Sequence, residues 1–185
     1  MKRLVVIVLI ALPSFALAFA STPAARDRVI SLLRAIEVAP APAHLDEANG
    51  GESADAVLRD ISDDEKISPH ARWQAISELA QYPGSATEAR LKQLIDKGRT
   101  ARSGAQTLFA RAAALSLAQV AKGRAVTQIA PLLDHPVPDV RADAARALAI
   151  TGSVEALPAL RARRQMETSA MVKAEIVEAI SVITP

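Results

Sequence analysis

The feature that most constrains the fold of this chain is an apolar stripe that recurs four times. Segments that begin at Arg72, Arg111, Arg141 and Lys173 each open on a basic residue, at intervals of 39, 30 and 32 residues. In every segment the positions one before and three, four and seven after the base are apolar, which is the spacing of one helix face. Repeats of this length are typical of stacked helix pairs. Since one short pair cannot bury its apolar face alone, the sequence predicts that neighbouring pairs pack together.

Proline, glycine and capping residues place the helices around these stripes. Ser68-Pro69 predicts a helix start, because serine caps the first backbone N–H groups and proline is tolerated at the first helical position. Ser85 and Glu88 have the spacing of a capping box. No strand pattern of useful length occurs. The predicted helices span about 24–38, 54–61, 69–81, 86–97, 105–121, 125–133, 139–150, 153–166 and 171–183.

One stretch of the repeat carries a recognisable motif. Residues 129–134 read IAPLLD, residues 138–141 read PDVR, and residues 144–148 read AARAL. The proline pattern returns one unit later in ALPAL at 156–160. This combination resembles the HEAT repeat, and is most similar to the short bacterial type named after phycobilisome lyases, with the clearest match over 125–183.

The resemblance implies an all-α fold, a short α-solenoid of antiparallel helix pairs with about four repeats and an N-terminal helix. It implies a right-handed superhelical stack with the second helix of each pair on the concave side. It also implies that Asp139 and Arg141 tie one repeat to its neighbour through hydrogen bonds. The earlier units, 53–82 and 85–122, match in stripe and spacing but lack the proline and the Asp-x-Arg turn.

The first 20 residues have the pattern of an export signal. Lys2 and Arg3 precede an uncharged apolar run from Leu4 to Ala20, and Ala-x-Ala sites end at Ala18 and Ala20. The sequence therefore predicts a cleaved signal peptide over 1–20 and a periplasmic or secreted protein. The alternative is an uncleaved inner-membrane anchor, since a run of roughly 17 residues is near the lower limit for a spanning helix.

Three further segments follow the signal. Residues 21–38 are predicted to form a capping helix, 39–52 a linker, and 53–185 the repeat domain. Pro40, Pro42 and the Gly50-Gly51 pair favour the linker, because proline ends helices and glycine is flexible. We expect that removing 21–52 costs stability at one end without unfolding the rest.

The charge balance gives no support for nucleic-acid binding. The chain carries 22 basic and 20 acidic residues, and two of the basic ones, Lys2 and Arg3, lie in the signal. Residues 37–65 contain nine acids against Arg59 alone, whereas 66–185 are mildly basic. The acidic segment is interpreted either as a solvated loop and helix, or as a segment that folds back on the basic solenoid or competes with an acidic partner for it.

The sequence shows no set of residues that identifies an active site, and no cofactor is predicted. The chain has no cysteine, and its histidines, His44, His70 and His135, show no metal-ligand pattern. The run Asp63-Asp64-Glu65 is interpreted as a solvated turn, with a divalent cation as the alternative.

Several basic residues and the single tryptophan have two interpretations each. The four bases of the repeat either form a ladder for an anionic ligand or pair with adjacent acids, for example Asp139 with Arg141. Trp73 is either partly buried between repeats or an exposed anchor. A second basic group is interpreted as a solvated helix end: Arg161, Arg163 and Arg164.

The sequence therefore predicts a binding module or scaffold that contacts another protein in the cell envelope, and not an enzyme. The alternative is an enzyme or an accessory subunit that uses the concave face. The candidate concave residues change type from repeat to repeat, which argues against a simple repeated ligand. They are Gln74, Ser77, Ser116, Asp143, Arg146, Glu175 and Glu178.

Overall fold

The computed structural model describes residues 22–34 and 40–184, and within these ranges every regular element is helical. The prediction of an all-α fold is confirmed. The predicted signal segment lies outside the described residues. The α-helices are α1 Pro23–Leu33, α2 Pro42–Ala48, α3 Asp55–Asp63, α4 Pro69–Glu78, α5 Ser85–Gly98, α6 Ala105–Ala121, α7 Val126–Ile129, α8 Pro138–Thr151, α9 Leu157–Met166 and α10 Ala170–Ile183.

The helices form two layers of antiparallel pairs. The second helices, α4, α6, α8 and α10, lie side by side, each packed against the next. Their partners cover them on the other side: α3 packs on α4, α5 on α6, the segment around α7 on α8, and α9 on α10. One apolar core runs through all the pairs. This arrangement confirms the short α-solenoid, because each pair is buried by its neighbours.

Alanine makes the close approach between the second helices possible. On α8 the buried residues include Ala142, Ala144, Ala145 and Ala147. Alanine occupies little volume and loses no side-chain entropy on burial, so two helix backbones can approach each other closely without a helix-propensity cost. On α6 the corresponding buried alanines are Ala110, Ala112, Ala113, Ala114 and Ala118.

A glycine allows a similar approach between the two helices of one pair. A Cβ atom at Gly98, the last residue of α5, would lie 2.5 Å from the Ala110 Cβ and 2.7 Å from the Gln106 carbonyl oxygen. Both distances are shorter than any tolerated contact, so a side chain here would push α5 and α6 apart. Glycine at the end of α5 is therefore a packing requirement.

The capping residues follow the sequence in part. The Ser68 side chain accepts a hydrogen bond from the Ala71 N–H, which confirms the predicted start of α4. The predicted capping box of α5 is wrong: Gly84 precedes the helix, and Ser85 is its first residue. The Glu88 side chain instead contacts Arg124 in the next repeat. A carboxylate that binds a cation of another repeat does not turn back to cap its own helix.

The predicted continuous helix over 125–133 is broken into short pieces. The α-helical part, α7, covers four residues and lies between two 3-10 segments, Lys122–Ala125 and Ala130–Asp134. Pro131 lies in the second segment and has no N–H to donate to the carbonyl four residues earlier. A tighter 3-10 turn therefore replaces the last part of the α-helix.

The segment 39–52, predicted to be a linker, contains a helix that is packed into the core. Pro42 is the first residue of α2 rather than a helix breaker, and Leu45 is fully buried. Asp46 Oδ1 accepts hydrogen bonds from the Ala54 N–H at 2.8 Å and from the Tyr82 hydroxyl at 2.9 Å. The first of these bonds holds Ala54, the residue that precedes α3. The linker interpretation of the described residues 40–52 is therefore wrong.

Helix α1 packs against the first repeat. Val29 and Leu33 are fully buried, and α1 packs on α2, α3 and α4. Arg26 reaches the acidic end of α3, with Nε 2.7 Å from Asp60 Oδ2 and Nη2 2.6 Å from Asp64 Oδ2. Since these contacts involve only the first repeat, the tolerance of the other repeats to loss of 21–52 stays a prediction.

The buried stripe of α8 gives a direct test of the stacking. Leu148 is fully buried, so Leu148→Asp places an unpaired charge in the core. This change should lower the free energy of unfolding by about 4 kcal/mol. Val154→Asp is the matched control, because Val154 is 66% exposed and its replacement should change the free energy by less than about 0.5 kcal/mol. Urea denaturation followed by circular dichroism measures both. Equal stability of the two variants would contradict the stacking.

Tyr82 reports whether α2 is packed on the first repeat, because it is the single tyrosine of the chain. Burial, and then the hydrogen bond to Asp46, raise the pKa of Tyr82. The stabilisation that the protonated Tyr82 hydroxyl gives the folded state is therefore fully present below the ordinary tyrosine pKa of about 10. It decreases as the pH rises above that value. We expect phenolate absorbance to appear well above pH 10, and Asp46→Ala to move its midpoint down. Glu47→Ala, an exposed neighbour, should leave the midpoint in place; equal midpoints in all three proteins would exclude the contact.

Candidate binding groove

A groove of about 310 Å³ lies on the layer of second helices, across α4, α6 and α8. Its apolar part is formed by Trp73 from α4 and by Leu108, Ala112 and Leu115 from α6. Trp73 is half-buried and packs against the core, in agreement with the first of its two interpretations. Because the residues of α6 recur every three to four positions, they form one continuous strip along that helix.

The polar side of the groove is held by a chain of ion pairs. Asp143 Oδ2 accepts a hydrogen bond from Arg111 Nε at 2.6 Å, and Asp143 Oδ1 accepts one from Arg146 Nη1 at 2.8 Å. Arg146 Nη2 then donates to Glu175 Oε1 at 2.6 Å. This bond raises the pKa of Arg146. The chain crosses from α6 through α8 to α10, so it fixes the groove edge relative to three repeats.

The side chain of Asp143 is only 7% exposed, whereas those of Arg111 and Arg146 are 34% and 49% exposed. The buried carboxylate of Asp143 binds one edge of each guanidinium, and Glu175 binds a second nitrogen of Arg146. The groove therefore presents two oriented, charge-paired arginines beside an apolar floor.

The structure brings four of the seven candidate concave residues together. Ser77, Ser116, Asp143 and Arg146 line the groove. Ser116 is buried, however, and its hydroxyl donates to the Ile76 carbonyl at 2.9 Å, so its role is to join α6 to α4. Glu175 reaches the groove only through Arg146. The remaining two candidates, Gln74 and Glu178, do not line it.

Six groove residues were absent from the seven candidate concave residues. Leu115 was assigned to the apolar stripe and therefore to the core. Its spacing from Leu108 and Gln119, seven and four residues, is a helix-face signal that the repeat comparison did not use. The full set is Trp73, Leu108, Arg111, Ala112, Leu115 and Gln119.

The four repeated bases do not form an open ladder. Arg72 Nε donates to the Ser62 carbonyl at 3.2 Å, and its guanidinium carbon lies 4.6 Å from the centre of the Phe109 ring. Arg111 is bound to Asp143, as described, and Lys173 is exposed at the other end. Because the arginines are engaged by neighbouring elements, the interpretation as pairing residues fits the structure better than an anion-binding ladder.

Arg141 is buried and binds a carboxylate in the following repeat. Its Nε and Nη2 donate to the two oxygens of Glu167 at 2.7 and 2.9 Å, and its Nη1 donates to the His135 carbonyl at 2.8 Å. The expected pair with Asp139 is wrong, because side chains two positions apart on a helix do not face each other. Asp139 Oδ2 lies 3.6 Å from Arg111 Nη1 instead, and so it does contact the preceding repeat.

A family model for HEAT repeats matches residues 101–181, which covers α6 to α10. This part of the chain is therefore similar to HEAT repeats. The match begins earlier than the clear part of the sequence resemblance at 125 and includes the Arg111 stripe. No curated protein matches the chain. Among the described residues, no helix is both long and apolar enough to cross a membrane.

Within the matched segment, His135 supports a turn. It is 3% exposed; Nδ1 accepts a hydrogen bond from the Val137 N–H at 3.1 Å, and Nε2 lies 3.0 Å from the Gly98 carbonyl oxygen. Since Nδ1 is an acceptor, Nε2 is the donor of this ring. His44 and His70 are exposed. In the described part of the chain, no group of three or more metal-ligating side chains is close enough to hold an ion.

The two remaining charged candidates are partly engaged by other elements. In the acidic turn, Asp64 binds Arg26 of α1, and Asp63 lies near cations of α5. The turn is therefore not simply solvated, and part of the acidic segment does fold back on the solenoid. At the end of α9, Arg163 binds Glu167, whereas Arg161 and Arg164 are exposed.

The buried pair between Arg141 and Glu167 should be strongly pH-dependent. The hydrogen bond from Arg141 lowers the pKa of Glu167. A lowered folded-state pKa means that the stabilisation is present above the ordinary glutamate pKa of about 4.3 and is lost as the pH falls through the lower value. Glu167→Gln leaves Arg141 buried without a counter-charge and should cost on the order of 3 kcal/mol at pH 7.

The free energy of unfolding of both proteins from pH 7 to pH 3 measures this effect. The difference between them should shrink below pH 4. Asp134→Asn is the control, because the Asp134 side chain is 73% exposed and contacts only the outer side of Arg163. A cost that stays constant with pH would show that the pair is not ionised as described.

Proposed function

We propose that this protein is an exported binding module whose groove receives a segment of a partner protein. HEAT repeats generally mediate protein–protein interactions or scaffolding, and stacked repeats present extended surfaces for this purpose. The observation that carries the proposal is the groove across α4, α6 and α8, with an apolar floor and a fixed polar edge.

The composition of the groove suits a protein ligand. Tryptophan and arginine are enriched at the residues that dominate binding energy in protein interfaces, and Trp73 and Arg111 both line the groove. Leu108 and Leu115 supply the apolar surface that a partner side chain would cover. The polar rim supplies donors, so a bound segment would combine one apolar anchor with neighbouring acceptor groups.

The arginine network adds pre-organisation. Arg111 and Arg146 are already held by Asp143, so little side-chain entropy is lost when a partner forms further hydrogen bonds with them. Asp143 and Glu175 balance the charges of the two arginines, so the network offers oriented hydrogen-bond donors and no surplus of positive charge. We therefore expect a partner segment that combines an apolar side chain with neutral hydrogen-bond acceptors.

The export part of the proposal is supported by the sequence of the first 20 residues. Lys2 and Arg3, the uncharged run and the two Ala-x-Ala sites form the order expected of a signal peptide. The alternative is retention of this segment as a membrane anchor. The proposal assigns no catalysis to the chain.

Site-specific crosslinking in cells tests the groove. A photo-crosslinking amino acid at Gln119 should capture a defined partner, because Gln119 lines the groove and is exposed. The same amino acid at Gln93, exposed on α5, is the control and should not capture that partner. Adding Trp73→Ala to the Gln119 protein should reduce the crosslink by about tenfold, as expected for loss of an interface anchor.

Circular dichroism on the Trp73→Ala protein separates loss of binding from loss of fold. Capture of the same protein from Gln93, or an undiminished crosslink in folded Trp73→Ala, would exclude the groove as the binding site. Intact mass spectrometry of the protein recovered from cells tests export: a chain that begins at Phe19 or Ser21 is expected, and an intact Met1 would contradict cleavage.

A further inference from the structure

A second cavity of about 420 Å³ lies at the edge between the first two repeats, where the turn after α3 meets α5 and the start of α6. Three cations line it: Arg72 from α4, and Arg90 and Lys97 from α5. Asp63 and Glu65 are the acids of its lining. Positive groups therefore outnumber negative ones in this cavity, although the surrounding segment is acidic.

Arg90 is a buried cation with one poorly aligned donor. It is 8% exposed, and its Nε donates to the Ser62 hydroxyl at 2.8 Å. Its Nη2 lies 2.9 Å from Asp63 Oδ1, but without hydrogen-bond alignment, and it has no hydrogen-bond partner among the described residues. The ion pair with Asp63 is imperfectly aligned, and an acceptor with better alignment would satisfy this buried nitrogen more fully.

The other two cations, Arg72 and Lys97, line the same cavity as Arg90. Arg72 is held by the Ser62 carbonyl and stacks over the Phe109 ring, which fixes its guanidinium at the cavity wall. Lys97 Nζ lies 3.5 Å from Asp63 Oδ1. Arginine in a fixed plane beside a lysine is an arrangement that favours carboxylate or phosphate groups.

Asp63 is held by these cations rather than by its own helix. It is the last residue of α3, where the negative end of the helix dipole disfavours a carboxylate. The charge of Arg90, and then that of Lys97, lower the pKa of Asp63. Its side chain is nevertheless 62% exposed, so it covers the cavity from outside.

We propose that this cavity is a carboxylate-binding site, which Asp63 covers in the free protein and which an acidic side chain of a partner protein enters in the complex. Asp63 itself shows that the cations accept a carboxylate. A phosphate dianion would meet stronger repulsion from Asp63 and Glu65. Phe109 and Leu94 also line the cavity, but they are only 4% and 3% exposed, so the cations are the groups that would hold an acidic side chain there. This site uses different residues from the groove and does not depend on it.

Removing the internal carboxylate is the first test. The probe is a fluorescein-labelled peptide with glutamate between two leucines. The control peptide is identical but has glutamine in place of the glutamate. If Asp63 competes with the peptide, Asp63→Asn should bind the glutamate peptide about fivefold more tightly than the parent protein, because a competing state has been removed. The glutamine peptide should show no such gain. Fluorescence anisotropy at low salt measures all four affinities.

Two further variants connect the binding to the cavity. Lys97→Met should weaken binding of the glutamate peptide about threefold without affecting folding, since Lys97 is 61% exposed. Arg161→Met removes the same charge from an exposed position on α9 and should leave the affinity unchanged. Thermal melts by circular dichroism verify the fold of each protein, and Lys97→Met retains the test if Asp63→Asn does not fold.

Three results would overturn the proposal. The first is an equal affinity of Asp63→Asn, when folded, and the parent for the glutamate peptide. The second is an equal loss from Lys97→Met and Arg161→Met, which would mean that only overall charge matters. The third is stronger competition by inorganic phosphate than by acetate at equal ionic strength, which would assign the cavity to phosphoryl groups instead of carboxylates.

Discussion

The structure depends on the close packing of the second helices against one another. Ala144 and Ala145 of α8 and Ala113 and Ala114 of α6 are fully buried, and small side chains let these helices contact along their length. Each such helix has apolar surface on more than one side, so it is stable only when neighbouring repeats cover it. The outer helices, the turns and both cavities are positioned by this single layer.

Buried charges set the alignment of one repeat on the next. Arg141 and Glu167 would each be expensive to bury alone, and their attraction offsets that cost only when both oxygens and both nitrogens meet. A shift of one helix along the other would leave two uncompensated charges in the core. Asp143, between Arg111 and Arg146, fixes the alignment of neighbouring repeats in the same way at the edge of the groove. The buried alanines thus let the helices pack closely, and the ion pairs fix the register of one repeat on the next.

The sequence predicted the longer elements well because their signals are local. The predicted spans 105–121, 139–150 and 171–183 agree with α6, α8 and α10 to within one residue at each end. Helix α2 was missed because its seven residues are too few for a periodic pattern, and because Pro42 opens the helix instead of ending one. Pro131 had the opposite effect, since it lies inside a predicted helix and divides it.

The candidate site was only partly predictable for a different reason. Comparison of repeats identifies the positions that are alike, and these form the core. The groove lies beside the core on positions that differ from repeat to repeat, such as Leu108 and Gln119, and it needs three successive second helices to exist. Likewise, the carboxylate that binds Arg141 is 26 residues away in sequence, and no local pattern connects the two.

The same position of the stripe joins repeats in one case and borders the groove in another. Arg141 turns into the core, where its side chain is 9% exposed and its donors are used by Glu167 and the His135 carbonyl. Arg111 occupies the same position one repeat earlier. Its partner, Asp143, lies at the edge of the groove, and the Arg111 side chain stays 34% exposed. The location of the acid therefore decides whether the arginine joins repeats or borders a groove. A binding surface can arise in such a stack by moving one carboxylate, without any change in the apolar stripe that holds the helices together.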